Sequence, residues 1–238
     1  MRRARVALLA LAAVLAFAAP ALAQAQGGEA SGRIVQTFAF VTVLSLAPIL
    51  LVAATSFTRF LIAFSFLRAG LGLQGAPANL ALIALSLFMT VYVMAPTFDR
   101  AWTAGVAPYL ENRIGEKEAF VAATTPFRDF MLGQVRDRDL KLFSDLAVDA
   151  LKVEDRAKAD LRVLAPAFMI SELRRGFEIG FLIVLPFLVI DMIVAIVVMS
   201  MGMMMLPPSV LSLPLKVMFF VLIDGWSLLA GSLIRSYS

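Results

Sequence analysis

The sequence predicts an all-α integral membrane protein with kinked or broken helical hairpins and one helical periplasmic segment. Of its 238 residues, 61% are hydrophobic, whereas soluble domains are roughly half apolar. The apolar residues gather into runs near the length of about twenty residues that a helix needs to cross a bilayer. Prolines and short polar patches interrupt these runs, which predicts kinked helices rather than straight ones.

Residues 1–23 have the pattern of a Sec-type signal peptide. Arginines in the first five residues form a positive n-region, 6–18 are apolar, and Ala21 and Ala23 form an A-x-A cleavage site. We predict cleavage after Ala23, with an uncleaved anchor as the alternative. N-terminal sequencing of the protein isolated from membranes tests this prediction, and recovery of Met1 as the first residue would contradict it.

The composition excludes several functions. The sequence contains no cysteine and no histidine, so disulfides, thiol nucleophiles and Ser-His-Asp or Cys-His catalysis are excluded. The commonest zinc ligands are absent as well, and we expect no metal site, no cofactor and no enzymatic activity. Removal of the signal peptide with its three arginines lowers the formal net charge from +4 to +1, so nucleic acid is not an expected partner.

Residues 24–96 are predicted to form an N-terminal helical hairpin. Its first apolar segment, Ile34–Leu67, is too long for one simple span. We expect it to break near Pro48 and near the polar patch Thr55–Arg59. The second span, Leu80–Met94, is short and should end before the proline that follows it.

Residues 97–165 are predicted to form a charged, helical periplasmic segment, because acidic and basic residues occur there in nearly equal numbers. A helix is expected to begin with Thr125 as its N-cap and Pro126 in its first turn. Two apolar stripes at helical spacing follow. We expect them to pack on each other as a helical hairpin rather than to form a substrate groove.

Residues 166–238 are predicted to form a C-terminal helical hairpin with a Met-rich tip. A helix that opens at Pro166 should run into the first span, Ile179–Met199, and the second span is Val210–Leu229. A proline inside each span predicts a kink there, at Pro186 and Pro214.

Four charged side chains lie within the apolar runs, namely Arg59, Asp191, Lys216 and Asp224. The structural interpretation is that each acid pairs with Lys216 or Arg59 across subunits, so that all four residues serve assembly. An ion-coupled small-molecule transporter that uses Asp191 and Asp224 is the alternative function, since intramembrane acids often mark proton paths. Such transporters usually contain internal repeats, and no convincing repeat is present. An aspartyl enzyme would require the two acids to share a proton.

Five of the twelve methionines lie between Met199 and Met205, directly before the helix breaker Pro207-Pro208. A methionine cluster inside an ordinary helix usually fills a core. At a turn, flexible thioether side chains suit a surface that adapts to changing partners. The composition alone leaves both interpretations open.

Long ordered motifs extend from about Leu44 to Leu233. The longest are Phe-Leu-Ile-Val-Leu-Pro-Phe-Leu-Val-Ile-Asp-Met at 181–192, Met-Ser-Met-Gly-Met-Met-Met-Leu-Pro-Pro at 199–208 and Val-Leu-Ile-Asp-Gly-Trp-Ser-Leu at 221–228. Shorter ones stand at 46–48, 55–60, 94–99, 126–132 and 213–216. Together these motifs closely resemble the flagellar export-gate protein family FliP and its virulence-secretion relatives.

The resemblance implies a function, which we state as an expectation. The chain would be a pore-forming core subunit of the flagellar type III protein export gate and would pass unfolded flagellar proteins across the inner membrane. Five copies would assemble with FliQ-like and FliR-like subunits, near FlhA-like and FlhB-like export components. The side chains of Met203, Met204 and Met205 from each copy would form a gasket around the channel. By the same resemblance, the signal peptide favours the flagellar branch over the virulence branch.

The expected location is the cell inner membrane, where the chain would be a multi-pass protein of the flagellar basal body with periplasmic-side exposure. After signal cleavage the mature chain would begin in the periplasm. Four crossings would then place the Arg68 loop and the Met203 tip on the cytoplasmic side. The resemblance implies that much of the complex is raised above the bilayer plane, so that protein rather than lipid covers some apparent spans.

Overall fold

The computed structural model describes residues 41, 45, 52–73, 75, 77–147, 155–202 and 207–237, and every regular element within these ranges is helical. The all-α prediction is therefore confirmed. The helices are α1 (Phe57–Leu71), α2 (Asn79–Ala101), a π-helical turn (Trp102–Val106), α3 (Ala107–Leu110), α4 (Glu116–Gln134), α5 (Asp137–Leu146), a 3₁₀ turn (Arg156–Lys158), α6 (Leu161–Ser200), α7 (Pro208–Leu222) and α8 (Gly225–Arg235). The described residues divide into two compact units, one within the ranges Met1–Thr55 and Met94–Gly133 and the other within Ser56–Val93 and Gln134–Ser238.

The break that the polar patch predicts lies at the start of α1. Residues 52–54 are helical, the backbone leaves the helix at Thr55 and Ser56, and α1 begins at Phe57. The helix ends at Gly72, whose φ of 74° lies in the left-handed region that glycine adopts without a steric penalty. The break expected at Pro48 falls outside the described residues.

Helix α2 is longer than predicted. It continues through Pro96 to Ala101 rather than ending at Met94, and a π-helical turn follows it. A proline removes one backbone hydrogen bond and constrains φ to a helical value, so a helix with enough other stabilising contacts can pass through it.

In the unit that contains Met94–Gly133, α4 packs closely on the π-helical turn. A β-carbon added to Gly105 would lie 2.7 Å from the β-carbon of Ala123. The rings of Phe98 and Phe127 also meet, with their centroids 5.7 Å apart. The helix begins at Glu116, which corrects the prediction of a start at Thr125. Acidic residues in its first turn suit the positive end of the helix dipole.

Helix α6 is a single helix of 40 residues, and the predicted helix does run into the span Ile179–Met199, but it begins at Leu161 rather than at Pro166. The reason for the earlier start is the N-cap, since the Asp160 carboxylate accepts a hydrogen bond of 2.8 Å from the backbone N–H of Arg162. Hydrogen bonds from the Arg162 side chain and backbone lower the pKa of Asp160 to about 2, so the cap remains charged at neutral pH.

The core of the second unit forms where α1 packs against α6. Phe60, Ala63, Phe64 and Leu67 of α1 are buried, and Phe187 of α6 lies in the same apolar cluster. Two glycines of α6, four residues apart on one face, bring the helices close together. A β-carbon at Gly176 would lie 3.1 Å from Ile62, and one at Gly180 would lie 2.6 Å from the ring of Phe66.

We therefore expect Gly180→Ala to destabilise the protein, although alanine is the better helix former by about 1 kcal/mol. The added methyl group would collide with the near end of the Phe66 ring, and overpacking of this kind costs about 1–3 kcal/mol. The matched control is Gly133→Ala, also inside a helix, where a β-carbon meets nothing within 4 Å. Thermal unfolding in detergent compares the two variants. An unchanged midpoint for Gly180→Ala would contradict the close approach of α1 and α6.

The last apolar segment is broken at a position that the sequence did not predict. Helix α7 passes through Pro214 and ends at Leu222, and α8 starts at Gly225 after a bend of 65°. The break lies at Asp224, whose φ of 51° and ψ of 51° place it in the left-handed region. Aspartate tolerates this region better than most residues. Gly225 contributes as well, because a β-carbon there would lie 2.2 Å from the Phe220 ring.

Candidate functional site

Asp191 and Lys216, two of the four charged residues singled out from the sequence, form an ion pair within one chain. The Lys216 Nζ atom of α7 donates to the Asp191 carboxylate of α6 at 2.5 Å and to the Gly70 carbonyl at 3.0 Å. That carbonyl is in the last turn of α1, where carbonyl groups lack intrahelical donors. The lysine thus joins three helices. We predicted this pairing across subunits, and the fold brings the two residues together inside a single chain instead.

Arg59 pairs with neither of the acids considered from the sequence. Its Nε and Nη2 atoms donate to the two oxygens of Glu172 on α6, at 2.9 and 2.5 Å, in a bidentate ion pair. Both side chains are 0% exposed. Glu172 was not predicted as a site residue, because it lies in the charged stretch Ser-Glu-Leu-Arg-Arg at 171–175, where nothing in the local sequence marks one acid as buried.

The remaining donors of Arg59 are also satisfied. Nη1 donates to the Ser236 carbonyl at 3.0 Å and to the Ser236 hydroxyl at 2.9 Å, while Nη2 also donates to the Gln134 side-chain oxygen at 3.3 Å. The five contacts match the five N–H donors of a guanidinium group. A buried cation is tolerated only when paired and hydrogen-bonded in this way.

Tyr237 closes the other side of the ion pair. Its ring centre lies 3.6 Å from the Arg59 guanidinium carbon, which is a cation–π contact. Its hydroxyl donates to Glu172 at 2.5 Å, and a further contact joins the hydroxyl to the Ser56 carbonyl at 3.3 Å. Burial, together with the charge of Glu172, raises the pKa of Tyr237 well above its usual range, so the hydroxyl keeps the proton that it donates. We call Arg59, Glu172, Gln134, Ser236 and Tyr237 the Arg59 network.

Asp224 is not among these buried groups. It is exposed at the bend between α7 and α8, and its side chain makes no capping hydrogen bond to α8. Its immediate neighbours are apolar and mostly exposed, including Val221, Leu222 and Trp226. The two cations expected as its partners are each bound to another acid of the chain.

The Met-rich tip is described only at its edges. Helix α6 ends at Ser200, Gly202 has a φ of 74°, and α7 begins at Pro208. Met203, Met204 and Met205 lie outside the described residues. So do Ala21 and Ala23 of the predicted signal cleavage site. Among the described residues, acidic side chains do not gather into a group of three or more that could hold a metal ion.

Two helices within the described ranges are long and apolar enough to cross a membrane, Asn79–Leu110 and Leu161–Ser200. The bent pair Pro208–Leu222 and Gly225–Arg235 would make a third if it acts as one span. In the first predicted apolar segment, Ile34–Leu67, residues 34–40, 42–44 and 46–51 lie outside the described residues. Together with the charged side chains held between helices, these features define the chain as an all-α integral membrane protein.

Comparison with known proteins gives the family. The FliP family model matches residues 40–233, and the chain belongs to that family. A relative from Rhizobium meliloti (strain 1021) is 55% identical over 228 residues, which cover 95% of this chain and 93% of the relative. One from Bacillus subtilis (strain 168) is 46% identical over 204 residues, or 85% of this chain and 91% of the relative. Both relatives are named flagellar biosynthetic protein FliP. The family resemblance seen in the motifs is confirmed.

Proposed function

We propose that the chain is a pore-forming core subunit of the flagellar type III protein export gate in the cell inner membrane. Membership of the FliP family supports a role in the flagellar export apparatus, as do relatives named for flagellar biosynthesis. In this proposal five copies assemble with FliQ-like and FliR-like subunits, near FlhA-like and FlhB-like components. Unfolded flagellar proteins pass through the resulting channel.

The observation that carries the proposal is the α6–α7 hairpin and the composition of its turn. A 40-residue apolar helix leads into the turn, Gly202 adopts a left-handed backbone, and α7 leads away from it. Met203, Met204 and Met205 are the methionines between Gly202 and Pro207. A ring of such side chains, one set from each copy, would be apolar enough to resist wetting and flexible enough to close around varied cargo. We assign the channel gasket to these three residues.

We assign the four charged residues to holding the hairpins and the assembly together rather than to proton movement. Asp191 already has a cationic partner at 2.5 Å, and Lys216 is nearly buried, which favours a structural role. Arg59 is fully engaged in its network. Asp224 is the one of the four for which we propose a partner on another subunit, because it is exposed among exposed apolar side chains.

Affinity purification of the tagged chain from membranes in mild detergent tests the proposal. We expect several copies of the chain together with unlike, smaller membrane subunits in unequal ratio, as measured by mass spectrometry of the intact complex. A small oligomer of the chain alone would contradict the proposal and would favour the ion-coupled transporter. Loss of flagellar protein export in a deletion strain, restored by this chain, gives the functional check.

A further inference from the structure

The Arg59 network binds the segment that follows α8 in a way that the role as an export-gate subunit does not explain. Two of the five Arg59 donors go to Ser236, and the face of the guanidinium group is covered by Tyr237. We propose that the buried Arg59–Glu172 pair is an intramolecular docking site whose ligand is Ser236–Tyr237, and that this site holds α8 against α1 and α6.

The polar contacts provide the recognition. Ser236 offers both its carbonyl and its hydroxyl to one nitrogen, Nη1 of Arg59. Tyr237 offers a donor to Glu172 and an aromatic face to Arg59. Its ring also packs edge-on against Phe60, with the centroids 5.6 Å apart. Ser236 and Tyr237 together therefore provide hydrogen bonds for the Arg59 cation and the Glu172 carboxylate and an apolar contact for Phe60.

The geometry of α8 explains why such a site is needed. Only the single left-handed residue Asp224 and its flanks join α8 to α7, across the 65° bend. One face of α8 enters the core through Leu229 and Leu233, while Leu228 on another face is exposed. A helix attached through one hinge needs a second fixed point to hold its direction. The docking site supplies that point at the opposite end of α8.

Docking of Ser236–Tyr237 and the stability of the buried Arg59–Glu172 ion pair depend on each other. If Ser236 and Tyr237 leave, Arg59 loses two hydrogen bonds and its aromatic cover, and Glu172 loses one hydrogen bond, while the charges stay buried. Partly satisfied buried charges are costly, whereas an apolar pair of similar volume at the same place is often tolerated. The effect of removing Tyr237 should therefore depend on whether the Arg59–Glu172 pair is present.

Cysteine labelling measures docking directly, because the chain contains no cysteine of its own. Leu233 is 0% exposed, so a Leu233→Cys reporter should react slowly with N-ethylmaleimide when α8 is docked. A Leu228→Cys reporter, at a position 56% exposed, should react quickly in every variant. Both reporters are used in the full chain purified with its bound subunits.

In the Leu233→Cys chain we expect Arg59→Met and Tyr237→Ala each to raise the labelling rate at least about tenfold. Each substitution breaks the buried network, and we expect that network to increase the ratio of docked to undocked α8 by more than about tenfold. Tyr237→Phe, which removes only the hydroxyl, should raise the rate by a smaller factor. The control is Glu178→Gln, a half-exposed carboxylate of α6 that pairs with Arg174 and Arg136 outside the Arg59 network, and it should leave the rate unchanged.

The deciding measurement is a double-mutant cycle. In an Arg59→Met/Glu172→Leu background, the further change Tyr237→Ala should raise labelling by much less than it does in the parent, since the charges that bind the tyrosine are gone. An equal rise in both backgrounds would overturn the proposal and reduce Tyr237 to ordinary packing. Where Arg59→Met does not accumulate, the shape-preserving Tyr237→Phe variant decides, and labelling equal to the parent would overturn the proposal. Co-purification of the unlike subunits with the parent chain is a separate readout, so this test can fail while the proposed function stands.

Discussion

Lys216→Met is expected to destabilise the protein by about 2 kcal/mol, a value between those of exposed and fully buried ion pairs. The substitution keeps most of the volume of the side chain and removes its charge. It leaves the Asp191 carboxylate and the Gly70 carbonyl without the donor that now lies 2.5 and 3.0 Å from them. The intermediate value follows from the exposure of the pair, since the lysine is 7% exposed and the aspartate 39%. Thermal unfolding of the purified protein in detergent measures the loss.

Two further variants separate structure from proton transfer at this pair. Asp191→Asn keeps a hydrogen-bond acceptor for Lys216, so its effect on the unfolding midpoint should be smaller than that of Lys216→Met. An Asp191→Leu/Lys216→Met double variant removes both charges and should recover much of the stability. Lys141→Met, at an exposed position of α5, is the control and should change nothing.

Export activity of the same variants decides between the two functions considered from the sequence. If the charges serve assembly, export should follow the amount of assembled complex in all variants. Should the double variant assemble and unfold like the parent and still fail to export, a proton path through Asp191 would be the better explanation. A Lys216→Met protein as stable as the parent would remove the structural role altogether.

Replacement of Met203, Met204 and Met205 together by alanine is expected to leave the complex assembled and to raise its leak to small solutes several-fold. Alanine shortens each side chain and removes the flexible thioether, so a ring of these residues would close less completely and would wet more easily. The export level should decrease by a smaller factor than the small-solute leak increases, because a wider constriction still passes an unfolded chain. The measurements are the ion conductance of the assembled complex and the export level in the same cells.

The matched control removes an equal number of methionines elsewhere. Met192 and Met199 on α6 and Met218 on α7 are all more than half exposed, and their triple replacement by alanine should leave conductance near that of the parent. An assembled Met203/Met204/Met205 triple-alanine variant as tight as the parent would show that these methionines pack rather than seal. Equal leaks in both triple variants would point to a general loss of packing.

The sequence by itself determined the features that depend on local composition and on motif order. Long apolar runs predicted membrane helices, the polar patch predicted the break before Phe57, and Gly202 with Pro207-Pro208 predicted the interruption between the end of α6 and the start of α7. These predictions succeed because hydrophobicity, glycine conformation and proline stereochemistry act over a few residues. The family was also visible in the sequence, because long motifs keep their order.

The sequence predicted the helix boundaries less accurately. Pro96 was taken as an end, and Pro126 and Pro166 as starts, yet α2, α4 and α6 each contain the corresponding proline in their interior. A proline removes one hydrogen bond, and contacts along the rest of a helix can outweigh that loss. The residue that does break the last span, Asp224, carries no comparable local signal.

Only the tertiary structure decided which charges meet. Arg59 and Glu172 are separated by 113 positions, and Arg59 and Ser236 by 177. The chain contains 21 basic and 17 acidic residues, so spacing alone leaves many pairings open. The choice depends on how closely α1 and α6 approach across Gly176 and Gly180, and on where the bend at Asp224 directs α8. The approach of α1 to α6 and the direction of α8 are set by packing between helices that are distant in sequence. For this reason the sequence showed that Arg59 needs a partner, and only the fold identified that partner as Glu172.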